Sequence, residues 1–162
     1  MTKEESKLNE LKLEYLKLQK KHNLPNFEAL NEDFQIEKAA ETETDSLIRE
    51  LRRTISDKPY TYLRFVETLI NPVNAPMSML SVVKTLGNEE KDKLTEIYKK
   101  LVKNEMLLIE TDLSFSEENE AKFIRETYKV WQEVKKDLIE VIGVVNNNWD
   151  NKVERNGKKY LG

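Results

Sequence analysis

The chain contains one histidine and no cysteine, and those two facts remove most side-chain chemistry at once. Without thiols there is no disulfide, no thiolate nucleophile and no zinc–thiolate site. A single His22 cannot furnish the two Glu-x-x-His sets of a di-iron bundle or any other multi-histidine metal site. At the end of an amphipathic segment it suits a helix C-terminus, where partial positive charge is favoured. Carboxylates alone can hold magnesium, and Glu37 with Glu41, Glu89 with Glu90 and Glu117 with Glu120 are the closely spaced candidates. All of them fall in sequence that reads as linker or first helical turn. Gly-rich phosphate loops, Gly-x-Ser-x-Gly and a helix-turn-helix with a basic second helix are absent too. The expectation is a non-enzyme with no catalytic residue, metal or cofactor.

Three further groups depart from the helical pattern. Glu105 falls in the middle of the apolar stripe Leu94, Leu101, Leu108, where a carboxylate must be paired, protonated or at an edge. Lys135, Arg52 and His22 are its candidate partners, and a buried polar contact between Glu105 and Lys135 is the sharpest form of that reading. Arg49, Arg52, Arg53, Lys58 and Arg64 form a basic stretch interleaved with Tyr60, Tyr62 and Phe65, which suits phosphate with aromatic stacking, Arg49, Arg53 and Arg64 being its candidate patch. The same stretch also reads as outer-face ion pairs, Asp45 with Arg49 and Arg53 with Asp57, or as a partner for the acidic segment Glu28 to Asp45. Lastly, Met77, Met79, Leu80, Val82, Val83 and Leu86 make a short segment that is apolar on nearly every side. Such a helix is buried or touches a partner, and methionine adapts to varied surfaces.

The elements that must position these residues follow from a three-and-four rhythm of apolar side chains. Leu8, Leu11, Tyr15, Leu18 and His22 predict a first helix over about 3–22, ended by Asn23-Leu24-Pro25 because the residue before proline leaves the helical region. A short amphipathic turn carries Phe27, Leu30 and Phe34. The stretch Glu28 to Asp45, with seven acidic residues and one lysine, is the linker candidate. A long segment from Thr44 or Asp45 to Ile70 keeps one apolar phase through Pro59, as either a kinked helix or two helices. Gly87 suits a left-handed C-terminal position and Asn88 a cap for the next helix, which runs to about Asp112 on Leu94, Ile97, Tyr98, Leu101, Leu108 and Ile109. Ser114 and Ser116 compete to cap the last helix, whose stripe is Ala121, Ile124, Tyr128, Trp131, Leu138, Ile142, Val145 and Trp149. A flexible tail over 150–162, with an Asn156-Gly157 turn and excess basic charge, completes the chain.

The fold class expected is therefore all-α: one domain over 1–162, a bundle of four long helices with coiled-coil spacing and two short helices in the connections. With 162 residues, 35% charged and only four Gly and four Pro, the chain can bury a core but cannot supply the turns of a strand-rich fold. The 27 basic and 30 acidic residues are evenly spread, which disfavours a nucleic-acid binder without removing it. No apolar run is long enough for a signal peptide or a membrane span, so the cytoplasm is the expected compartment. The last helix outruns its neighbours by about two turns. The function expected is a helical interaction or scaffold protein, with a homodimer or partner surface made by Met77, Met79, Leu80 and Val83 together with Val145 and Trp149. The alternative is a nucleic-acid-associated protein using the 49–64 stretch and the basic tail.

Overall fold

The computed structural model describes residues 3–160, with side chains described for 4–152. Every regular element among them is helical: α1 (Lys3–His22), α2 (Phe27–Phe34), a 3-10 segment (Ile36–Glu41), α3 (Leu47–Ile70), a 3-10 turn (Pro72–Asn74), α4 (Met77–Val83), α5 (Asn88–Leu113) and α6 (Glu117–Tyr160). The chain is all-α, and α1, α3, α5 and α6 are the four long helices that the apolar rhythm predicts.

Local chemistry explains the boundaries. Helix α1 stops at His22 because Asn23 turns left-handed at φ 51° and Pro25 cannot continue it. The buried Tyr15 hydroxyl donates to the Pro25 carbonyl at 2.6 Å, and burial pushes its phenol well above the usual range. Asn26 caps α2 by accepting from the Ala29 amide at 2.7 Å. At the start of α6, Ser116 rather than Ser114 is the cap, accepting from the Asn119 amide at 3.1 Å.

Several expectations need correction. The acidic segment is not a linker for most of its length: α2 and the 3-10 segment occupy it, and Leu30, Phe34, Ile36 and Ala39 are buried. Helix α3 runs unbroken through Pro59, with Leu51 and Ile55 before it and Leu63 and Val66 after it buried in one phase. Gly87 is not left-handed, since no glycine among the described residues has positive φ. It is the N-cap of α5, its carbonyl accepting from Lys91 at 3.1 Å, while the Glu90 carboxylate reaches back to its amide at 3.0 Å. The last helix does not end near Trp149: its backbone stays helical through Asn156-Gly157 to Tyr160, although the side chains of the basic tail, 153–162, lie outside the described residues.

The residues group into two compact units, Met1–Thr61 with Lys103–Trp131 and Tyr62–Val102 with Gln132–Gly162. In the first, the core is built from Leu11 and Tyr15 of α1, Phe27, Leu30 and Phe34 of α2, Leu47, Ile48, Leu51 and Ile55 of α3, and Ala121, Phe123, Ile124 and Trp131 of α6. Aromatic edges pack there, Tyr15 on Phe27 at 5.4 Å and Phe34 on Trp131 at 6.1 Å between ring centroids. The Lys58 ammonium lies 5.3 Å from the Trp131 ring and donates to the Asp33 carbonyl. It is one contact of the kind expected between the basic stretch and the acidic segment. In the second unit the buried residues are Leu63, Val66, Leu69, Leu86, Leu94, Ile97, Leu101, Val134, Leu138, Val141 and Val145. Along α6 there the stripe passes through Val141, with Ile142 half-buried.

Candidate interaction surface

Helix α4 is set up by its prolines. Asn71-Pro72 ends α3, and Pro76 precedes α4 with a carbonyl that accepts from Met79 and Leu80 at 2.9 and 3.0 Å. At the other end Leu86 is buried, the Thr85 hydroxyl bonds back to Val82 at 2.7 Å, and the Asn148 amide of α6 donates to the Thr85 carbonyl at 3.0 Å. The seven residues between, Met-Ser-Met-Leu-Ser-Val-Val, contain no titratable group, and none of them is buried. Met77 is 78% exposed and Val73, just before it, 81%. Met79, Leu80, Val82 and Val83 are half-buried. In the same unit Ile70 and Trp149 are exposed, whereas Val145, expected on the surface, is part of the core. The helix is thus neither the buried plug nor the free appendage that its composition allows. It is anchored by Leu86 and shows the rest of its apolar face.

The polar candidates lie elsewhere and are absorbed by intramolecular pairs. Two carboxylates are buried, Asp33 and Glu120, and Glu105 is not one of them; Glu120 is fully enclosed. Arg52 of α3 donates through Nε to Glu120 at 2.8 Å and through a terminal nitrogen to Asp112 at 2.6 Å. The second Glu120 oxygen has no hydrogen-bond partner among the described residues and lies 4.0 Å from Arg49 Nε. Nearby polarity continues in Asn104, which donates to the Thr127 hydroxyl at 2.7 Å in the interior. Glu105 and Lys135 are each half-buried. Two of the expected partners of Glu105 are committed to other carboxylates, Arg52 as above and His22 to Glu117 and Glu118.

His22 is buried, with its ring nitrogens 2.7 Å from Glu117 and 3.1 Å from Glu118. A ring protonated on both nitrogens can donate to both. Lys21 reaches Glu117 at 2.8 Å, and Arg125 binds Glu118 at 3.0 Å and the His22 carbonyl at 2.6 Å. Both carboxyls are held below the usual range, Glu117 first by Lys21 and then by His22, Glu118 first by Arg125 and then by His22. A depressed carboxyl stabilises the fold above its unfolded value of about 4.3, and the contribution is lost as pH falls through the folded value. The melting-temperature gap between wild type and a Glu117→Gln/Glu118→Gln variant, open at about pH 6, is therefore expected to narrow as the pH falls below about 4.3 and to close once both carboxyls are protonated in the folded chain. A gap that stays constant on acidification refutes the assignment.

The arginines of the basic stretch are each engaged. The Arg49 guanidinium stacks 3.8 Å from the centre of the Phe115 ring, Arg53 pairs with Glu50 at 3.8 Å and Arg64 with Glu67 at 2.8 Å. The expected pairs with Asp45 and Asp57 give way to three-residue spacings or to the aromatic ring. The magnesium candidates are likewise divided: Glu37 bonds Asn31, Glu89 bonds Lys93, Glu90 bonds the Gly87 amide, and Glu117 and Glu120 face different cations. Among the described residues no group of three His, Cys, Asp or Glu is placed to hold a metal ion, and no helix is long and apolar enough to cross a membrane.

Sequence reasoning missed the Arg52–Glu120–Asp112 cluster and the exposure of Ile109. The signal for the first was present as an arginine on the α3 core stripe, between Leu51 and Ile55. Comparison with family models, curated proteins and solved structures returned no match to this chain.

Proposed function

We propose that this chain is a non-enzymatic helical interaction protein of the cytoplasm that works through protein–protein contact. The observation that carries the reading is α4: a helix of five apolar residues and two serines with no buried member, beside exposed Val73 and, in the same unit, exposed Trp149. Leaving such a face in water forfeits roughly 25 cal/mol for every Å² that a partner would cover. Methionine at its centre fits a surface that accepts shape variation. Nucleic acid is the weaker alternative, because Arg49, Arg53 and Arg64 already spend their charge or their planar face within the chain.

The test pairs stability with association. A Met79→Glu/Trp149→Glu variant is expected to keep the wild-type unfolding free energy to within about 1 kcal/mol, because neither side chain is in the core, while losing the host protein that wild type retains in a pull-down. A wild type that remains monomeric at high concentration and recruits no host protein, with a variant that unfolds, would sink the proposal. Those results mark α4 as a structural element of the fold.

A further inference from the structure

We propose that the outer face of α5 within the first unit binds a second copy of this chain, helix against helix and antiparallel. Met106, Ile109 and Leu113 are 52%, 46% and 84% exposed, and their spacings of three and four residues are those of a coiled-coil seam. They form a stripe distinct from the one α5 turns inward, where Asn104 and Thr111 are buried. The helix therefore carries two faces with helical periodicity, and only one is used within the unit.

The flanking charges identify the occupant. Lys103 and Glu110 are exposed, lie two turns apart on the same side of the seam, and make no side-chain hydrogen bond or ion pair among the described residues. In an antiparallel pair related by a two-fold axis, residues on one flank meet residues of the same flank in reverse order, so Lys103 falls opposite Glu110 of the second copy, twice. Met106 then packs against Ile109 of the second copy, also twice. A parallel pair sets Glu105 near Glu110 of the other copy, which places like charges together. On the opposite flank Asp112 is already held by Arg52 at 2.6 Å, which reduces its repulsion toward Glu105 of the second copy. The Lys103–Glu110 flank is self-complementary in the antiparallel arrangement and not in the parallel one. Three seam side chains per copy make a contact at the small end of stable interfaces, so the dimer is concentration-dependent.

Sedimentation velocity on the full chain over a concentration series tests this, with circular dichroism to confirm that each variant keeps its helices. Wild type is expected to dimerise. Lys103→Glu alone and Glu110→Lys alone, each converting two attractive pairs into two repulsive ones, are expected to raise the dissociation constant by about tenfold. The Lys103→Glu/Glu110→Lys double variant is expected to return it to within about threefold of wild type. A wild type that is monomeric at every concentration, single reversals without effect, or a double variant no better than the singles overturns the proposal. Met79→Glu is expected to leave this dimer intact. If Met79→Glu abolishes dimerisation while the α5 reversals do not, the copies meet through α4, and this inference fails while the earlier one stands.

Discussion

Arg52→Ala is expected to destabilise the fold by about 3–5 kcal/mol, measured by urea unfolding, because it leaves a buried carboxylate with no hydrogen-bonded cation, Arg49 lying 4.0 Å away. Arg52 is 7% exposed and Glu120 is fully buried, so water cannot replace the guanidinium at Glu120. The Asp112 end of the network is more open, its side chain 56% exposed, and loses less. Glu120→Gln removes the charge but keeps the shape, and is expected to cost less than Arg52→Ala. The informative variant is the apolar double replacement Arg52→Met/Glu120→Leu, expected to recover most of the loss. Removing both charges of a buried pair is often neutral or stabilising, whereas removing one is not. The Glu120 oxygen that accepts no hydrogen bond makes that recovery larger, since the native pair already leaves one acceptor without a donor. An Arg52→Ala chain less than about 1 kcal/mol below wild type would show that the pair is solvated and that its enclosure is wrong.

Comparison of sequence and structure separates what is local from what is not. Helix ends were legible because capping and proline chemistry act within four residues: Asn23 and Pro25 close α1, and Ser116 opens α6. Gly87 was misread because glycine serves both helix ends, and only the Glu90 carboxylate bonded to its amide decides between them. Which polar residue enters the interior was not legible, because that depends on register between helices far apart in sequence. Arg52 and Glu120 are separated by 68 residues and His22 and Glu117 by 95. The seven-residue repeat of Leu94, Leu101 and Leu108 points to Glu105 as a buried acid. In the structure Leu94 and Leu101 are buried, the next inward positions are Asn104 and Thr111, and Leu108 is half-buried. Glu105 therefore sits at the margin. The same drift brings Ile109, assigned to the core by periodicity, out to the surface, where it joins Met106 and Leu113. As for the surface candidates, Met77, Met79, Leu80, Val83 and Trp149 do retain exposure, whereas Val145, one helical turn before Trp149, does not.

Phe123 gives the clearest measure of how burial decides what identical side chains are worth. It is fully enclosed, whereas Phe115, eight residues earlier, is 54% exposed. Periodicity alone did not place Phe123 in the core, because it lies beside the stripe of Ala121, Ile124 and Tyr128. Its burial arises because the early part of α6 is covered over a wide arc, with Glu120, Ala121, Phe123, Ile124 and Thr127 all inaccessible. Farther along, the buried set narrows to Val134, Leu138, Val141 and Val145, the single stripe expected of a helix covered on one side. Phe123→Ala should therefore remove a full aromatic side chain from a close-packed site and cost about 3–5 kcal/mol. Phe115→Ala removes a half-exposed ring together with its stacking on Arg49, and is expected to cost no more than about 1 kcal/mol. Urea unfolding of both variants under one set of conditions measures the difference. Equal losses at the two positions would mean that the wide arc of burial on α6 is not present in solution, and the core of the first unit would have to be built on the narrower stripe that the sequence rhythm alone predicts.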